Sequence, residues 1–129
     1  MPLETVTIIL PLPPSILSPN RPPGTRGGRM AVALAAKQYK RLAREATEAE
    51  GIESGPWPRA TIQAAFFHKQ KRRRDDVNHL AMLKPAYDGI VLAGLLVDDD
   101  AKHLTTQVAT FDIDRKCSRV ELTVTRVSL

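Results

Sequence analysis

The nine residues from Ala60 to His68 constrain the fold more than any other stretch of the chain. In an extended conformation Ile62, Ala64 and Phe66 fall on one side and Gln63, Ala65 and Phe67 on the other. Both sides are largely apolar, which predicts a strand in the interior of a sheet rather than at its edge. That strand delivers the chain into His68-Lys69-Gln70-Lys71-Arg72-Arg73-Arg74, with five cations in seven residues. Such a concentration at a strand end points to phosphate binding, with a localisation-type or merely solvated run as the alternative.

The remaining elements are read around this strand. Thr5 to Leu10 is rich in β-branched residues and predicts a first strand, ended by Pro11, Pro13 and Pro14. A loop dense in proline and glycine is expected from Pro11 to Arg29, carrying Arg21, Arg26 and Arg29 as candidate phosphate contacts. Ala31 to Glu50 predicts a helix with Val32, Ala35, Tyr39, Leu42, Ala46 and Ala49 on its apolar face. Lys37, Lys40, Arg41 and Arg44 line another face, which reads first as a solvated one. Gly55 to Pro58 is a turn whose Trp57 is expected to pack over the core.

A second helix should begin near Asp75 or Asp76, with Leu80, Leu83, Tyr87, Ile90 and Val91 buried, and end at Gly94. Pro85 complicates it. Either the helix kinks there, or a short irregular turn precedes a helix starting at the proline. His103 to Asp112 and Cys117 to Val127 alternate as strands, and the turn Asp114-Arg115-Lys116 predicts that they form a hairpin. The sum is one α+β domain, a small mixed β-sheet of about four strands with two main helices.

Composition narrows the partners. The chain has 129 residues, a formal net charge of +5 and a pI near 9.7, which favour an anionic partner, nucleic acid first. The charge is segregated: Met1 to Arg44 holds one acidic residue, Glu4, against seven basic ones, whereas Asp75 to Asp100 holds six aspartates against Lys84 alone. This pattern suggests a basic track around an acidic pocket. The single cysteine, Cys117, excludes an intrachain disulfide and a cysteine-rich zinc site. No basic leader and no apolar run near the ~20 residues of a membrane span is seen. Carboxylates able to carry a hard cation, set beside arginines that hold a polyanion, form the minimum apparatus for hydrolysing a phosphodiester.

Arg74-Asp75-Asp76-Val77-Asn78, Lys84, Tyr87-Asp88-Gly89-Ile90, Gly94 and Asp98-Asp99, taken in order and spacing, resemble the RusA family of Holliday junction resolvases. The likeness extends more loosely to the opening strand, Leu12-Pro13-Pro14-Ser15 and the Gly-Arg loop. It implies a homodimeric, Mg2+- or Mn2+-dependent endonuclease that nicks four-way DNA junctions, cytoplasmic in a bacterial or phage-infected cell. By position, Asp75 matches the family's first metal-binding aspartate, Lys84 its catalytic lysine and Asp99 the aspartate after the helix. Val77 stands where the family has a second aspartate, and Asp76 stands beside it. The resemblance therefore implies Asp75, Asp76, Lys84 and Asp99 as catalytic, and Asp75, Asp76, Asp98 and Asp99 as metal ligands. Asn78 and Asp88 fall in supporting positions. Arg21, Arg26, Arg29, Lys69, Lys71, Arg72, Arg73 and Arg74 would contact DNA. His79 and His103 could touch metal or phosphate, but read first as ordinary polar residues.

A length argument bears on assembly. One straight helix from Asn78 to Ala93 would span about 22 Å, and the chain from Gly94 to Asp99 returns at most about 17 Å. Joining Asp75 to Asp99 therefore needs a break at Pro85 or a dimer interface. Two competing readings remain: a DNA-binding homologue that no longer cuts, and a basic RNA-binding protein, the latter weakened by an aromatic content of 5%.

Overall fold

In the computed structural model, which describes residues 4–18, 26–71 and 76–127 and only the backbone of 76–78, both leading strands fall where the sequence places them. They are β1 (Thr5–Leu10) and β2 (Ala60–His68). Between them lies α1 (Arg26–Ala49). After β2 come α2 (Asp76–Ala81), α3 (Lys84–Leu92), β3 (Leu104–Thr106), β4 (Thr110–Ile113) and β5 (Arg119–Arg126).

The fold is α+β, with a mixed sheet of five strands. β5 runs antiparallel between β1 and β2. At the other edge of β2, two short strands run parallel to it end to end, β3 beside Ala60–Ile62 and β4 beside Ala65–His68. The expected count of about four is thus exceeded because the outer row is interrupted. The expected hairpin does not form: β4 and β5 lie on opposite edges of β2. An interior strand must satisfy main-chain donors and acceptors along both edges, and these two segments supply one edge each. The turn at Asp114 consequently steps across the end of β2, where the Asp114 amide donates to the His68 carbonyl at 2.9 Å. Asp114 also accepts from the Lys116 amide and from the Arg119 guanidinium.

Register builds the core in rows. Leu10, Val120 and Phe66 align across β1, β5 and β2, as do Ile8, Leu122 and Ala64, and Val6, Val124 and Ile62. All nine are buried. Each large aliphatic or aromatic side chain so buried contributes about 1.5–3 kcal/mol relative to exposure. The helices cover this face, while Thr5, Thr7 and Ile9 face outward and are exposed.

α1 begins at Arg26 rather than Ala31, so Arg26 and Arg29 lie on its first turns and not in a loop. Its buried stripe is Tyr39, Ala43 and Thr47, whereas Leu42 is 40% exposed. Close packing on α3 explains the rotation. A Cβ on Gly89 would lie 2.2 Å from the Lys40 carbonyl oxygen and 3.0 Å from the Ala43 Cβ, so the helices meet through their smallest residues. The second helix is broken in two, with a turn at 82–83 and Pro85 in the first turn of α3, where its missing N–H costs nothing. Gly94 ends α3 with φ +90°, a conformation that side chains resist. Among the described residues, no helix is long and apolar enough to cross a membrane.

Candidate functional site

The break in the helix sets the geometry of the site. Because α3 starts afresh at Lys84, this side chain projects from a helix N-terminus and meets the segment that follows the same helix. Its ammonium donates to Asp99 Oδ2 at 2.5 Å and to Asp88 Oδ1 at 2.9 Å. A cation is disfavoured at the positive end of a helix, so the two carboxylates offset an otherwise unfavourable placement. They hold the Lys84 pKa above its ordinary value, the hydrogen bond to Asp99 first and that to Asp88 second. The Asp99 side chain is only 12% exposed and Lys84 61%. Local rules broken in this way concentrate at functional positions.

The core fixes the acidic segment. Trp57, fully buried, donates its amide to the Leu95 carbonyl at 2.7 Å and accepts from the Val97 amide at 3.2 Å. Its indole N–H donates to Ser54 Oγ, which in turn donates to Glu4 Oε2. On the far side, the Leu104 amide donates to the Asp100 carbonyl at 2.8 Å as β3 begins. Asp98, Asp99 and Asp100 are therefore suspended between two anchored points. Within the loop, Asp98 Oδ1 accepts from the Asp99 amide at 2.7 Å, and Asp100 Oδ1 lies 2.5 Å from His103 Nδ1. The bond to His103 is the largest influence holding the Asp100 pKa below its ordinary value. Ligand atoms of Asp98, Asp100 and His103 lie within 4.8 Å of one another.

The structure brings together Lys84, Asp88 and Asp99, and separately Asp98, Asp100 and His103. Asp99 belongs to the first group because its carboxylate turns to Lys84. Asp76 opens α2. Arg21, Arg72, Arg73, Arg74 and Asp75 lie outside the described residues, as do the side chains of Asp76 and Asn78. Lys69 and Lys71 are exposed beyond β2, and Arg26 and Arg29 are exposed on α1. Lys37, Lys40, Arg41 and Arg44 line a groove with Leu34 and Leu92. Exposed pairs Arg41–Glu45 and Arg44–Glu48 occupy two of these cations. His79 packs among the rings of Phe66, His68 and Phe111.

Sequence reasoning assigned no role at the site to Asp100 or to the hydroxyl of Tyr87. Tyr87, part of the motif Tyr87-Asp88-Gly89-Ile90 and expected on the buried face of its helix, is buried, with its hydroxyl lacking a hydrogen-bond partner among the described residues. Its spacing of three from Lys84 was the available signal, because that spacing puts both on one helical face. No model of a known family matches this chain, and no curated protein matches it.

Proposed function

We propose that this chain is a divalent-metal-dependent endodeoxyribonuclease that resolves four-way DNA junctions by paired nicks, acting as a homodimer. The observation that carries the reading is the Lys84–Asp99 contact, which joins the first residue of α3 to the acidic segment after it, fifteen positions on. Asp98, Asp100 and His103 bring ligand atoms within 4.8 Å of one another, and Asp99, once it gives up Lys84, would join them with Asp75 and Asp76 in a donor set suited to Mg2+ or Mn2+. Such a cation, when bound, would lower the pKa of the attacking water and neutralise charge at the phosphate. Lys84, released by Asp99 when that carboxylate takes the cation, would present its positive charge to the phosphate oxygens. Arg26, Arg29, Lys69 and Lys71 are exposed cations for the phosphate backbone, which positions the DNA without reading its sequence. Two-fold pairing of chains would put two such sites on opposing strands of a junction.

The test is a synthetic four-way junction with Mg2+ or Mn2+. Wild type should nick opposing strands, and Asp99→Asn should abolish cutting yet still shift the junction in a gel in metal-free buffer. Loss of binding in that variant would instead make Asp99 structural. A second reading, a junction-binding homologue that does not cut, draws on Val77 at the family's second aspartate position. It predicts a gel shift by wild type with no nick at any divalent concentration.

A further inference from the structure

The most anomalous polar group near the site is the Tyr87 hydroxyl. Tyr87 is 8% exposed, and its hydroxyl oxygen has no hydrogen-bond partner among the described residues. Buried hydroxyls are nearly always satisfied, so each exception calls for a physical account. The neighbouring Tyr39 follows the rule, donating to the Pro11 carbonyl at 2.7 Å. A phenylalanine at 87 would fill the same space without burying an orphaned donor.

The placement of Tyr87 points to its partner. It stands three residues after Lys84, on the face of α3 from which Lys84 reaches Asp99. Burial chiefly, with the negative charge of Asp99 adding to it, pushes the phenol pKa up to about 12, so the group is a protonated donor at neutral pH. The helical face that Tyr87 shares with Lys84 turns it toward Asp99, the carboxylate whose Oδ2 the Lys84 ammonium engages.

We propose that Tyr87 is a positioning residue for Asp99: when the carboxylate gives up Lys84 to take a divalent cation, the phenol O–H donates to it and fixes its orientation. This rests on the metal-dependent reading above. Carboxylate ligands are commonly held by such a hydrogen bond, and removing the donor typically costs about 10- to 100-fold in metal affinity or activity.

The experiment compares wild type, Tyr87→Phe and Tyr39→Phe by thermal melting in EDTA and by calorimetric titration with Mn2+. Tyr87→Phe should melt at or above the wild-type temperature, because no protein hydrogen bond is lost, and bind Mn2+ about ten-fold more weakly. Tyr39→Phe should melt lower and keep wild-type Mn2+ affinity. Equal Mn2+ affinity in wild type and Tyr87→Phe overturns the role of Tyr87 while leaving the metal-dependent reading intact. Absence of Mn2+ binding by wild type overturns that reading and this proposal together.

Discussion

Replacing Lys84 by methionine removes the ammonium while keeping most of its aliphatic length, and it should separate stability, metal affinity and turnover. Two unit charges about 4 Å apart attract by about 4 kcal/mol at an effective dielectric of ~20 and by about 1 kcal/mol in water. Asp99 is largely sheltered, but Lys84 is 61% exposed, so solvent screens the pair and the lower figure governs. Lys84→Met should therefore lose about 1 kcal/mol of stability in chelator at neutral pH. A cation binding Asp99 must displace the same ammonium. Without that competitor, Mn2+ should bind about five-fold more tightly, the equivalent of about 1 kcal/mol. Junction cleavage should nevertheless fall steeply. The pH dependence has a fixed sign: the Lys84 pKa is raised above 10.5, so its stabilisation is complete below 10.5 and disappears as pH rises through the higher folded value. The gap between wild type and Lys84→Met should be constant from pH 7 to 9 and close only above 10.5. Urea denaturation in EDTA and calorimetry with Mn2+ measure both quantities. Unchanged or weaker Mn2+ binding by Lys84→Met would refute the competition between lysine and metal.

Two further outcomes follow from the scaffold. Gly89→Ala gains helix propensity of about 1 kcal/mol, but its Cβ meets the Lys40 carbonyl oxygen at 2.2 Å, so α1 and α3 must part; a net loss of roughly 2 kcal/mol should appear as a lower urea midpoint at unchanged m. The Glu4 carboxyl is held below its ordinary 4.5 by hydrogen bonds from Ser54 and then Arg126, so its contribution is full above 4.5 and is lost as pH falls through the lower folded value. Stability profiles of wild type and Glu4→Gln should therefore converge below pH 4.5, and parallel profiles would contradict the assignment.

Strand positions were legible because β-branched runs and their proline or charged boundaries are local signals. Thr5–Leu10 and Ala60–His68 match the expectation at both ends. Pairing was not legible: nothing local in 103–112 records that its partner is β2, nor that the direction is parallel. The early start of α1 defied the glycines at 27 and 28, and its buried face turned on Ala43 approaching Gly89, a tertiary contact that apolar periodicity cannot register. Within the candidate site, Pro85 signalled a break and the structure has one immediately before Lys84. The length argument concerned Asp75 and Asp99 joined by a straight helix; the helix is broken, and the contact within a single chain is that of Lys84 with Asp99. Asp75 lies outside the described residues, so the expected approach of Asp75 to Asp99 belongs to the proposal.

The tie between Trp57 and the acidic segment also gives the molecule a built-in reporter. This is its only tryptophan, and its backbone is stitched to Leu95 and Val97 immediately before Asp98. Any rearrangement of that segment on the metal loading proposed above should register as a change in indole emission. Optical titration can then follow the aspartates without a label.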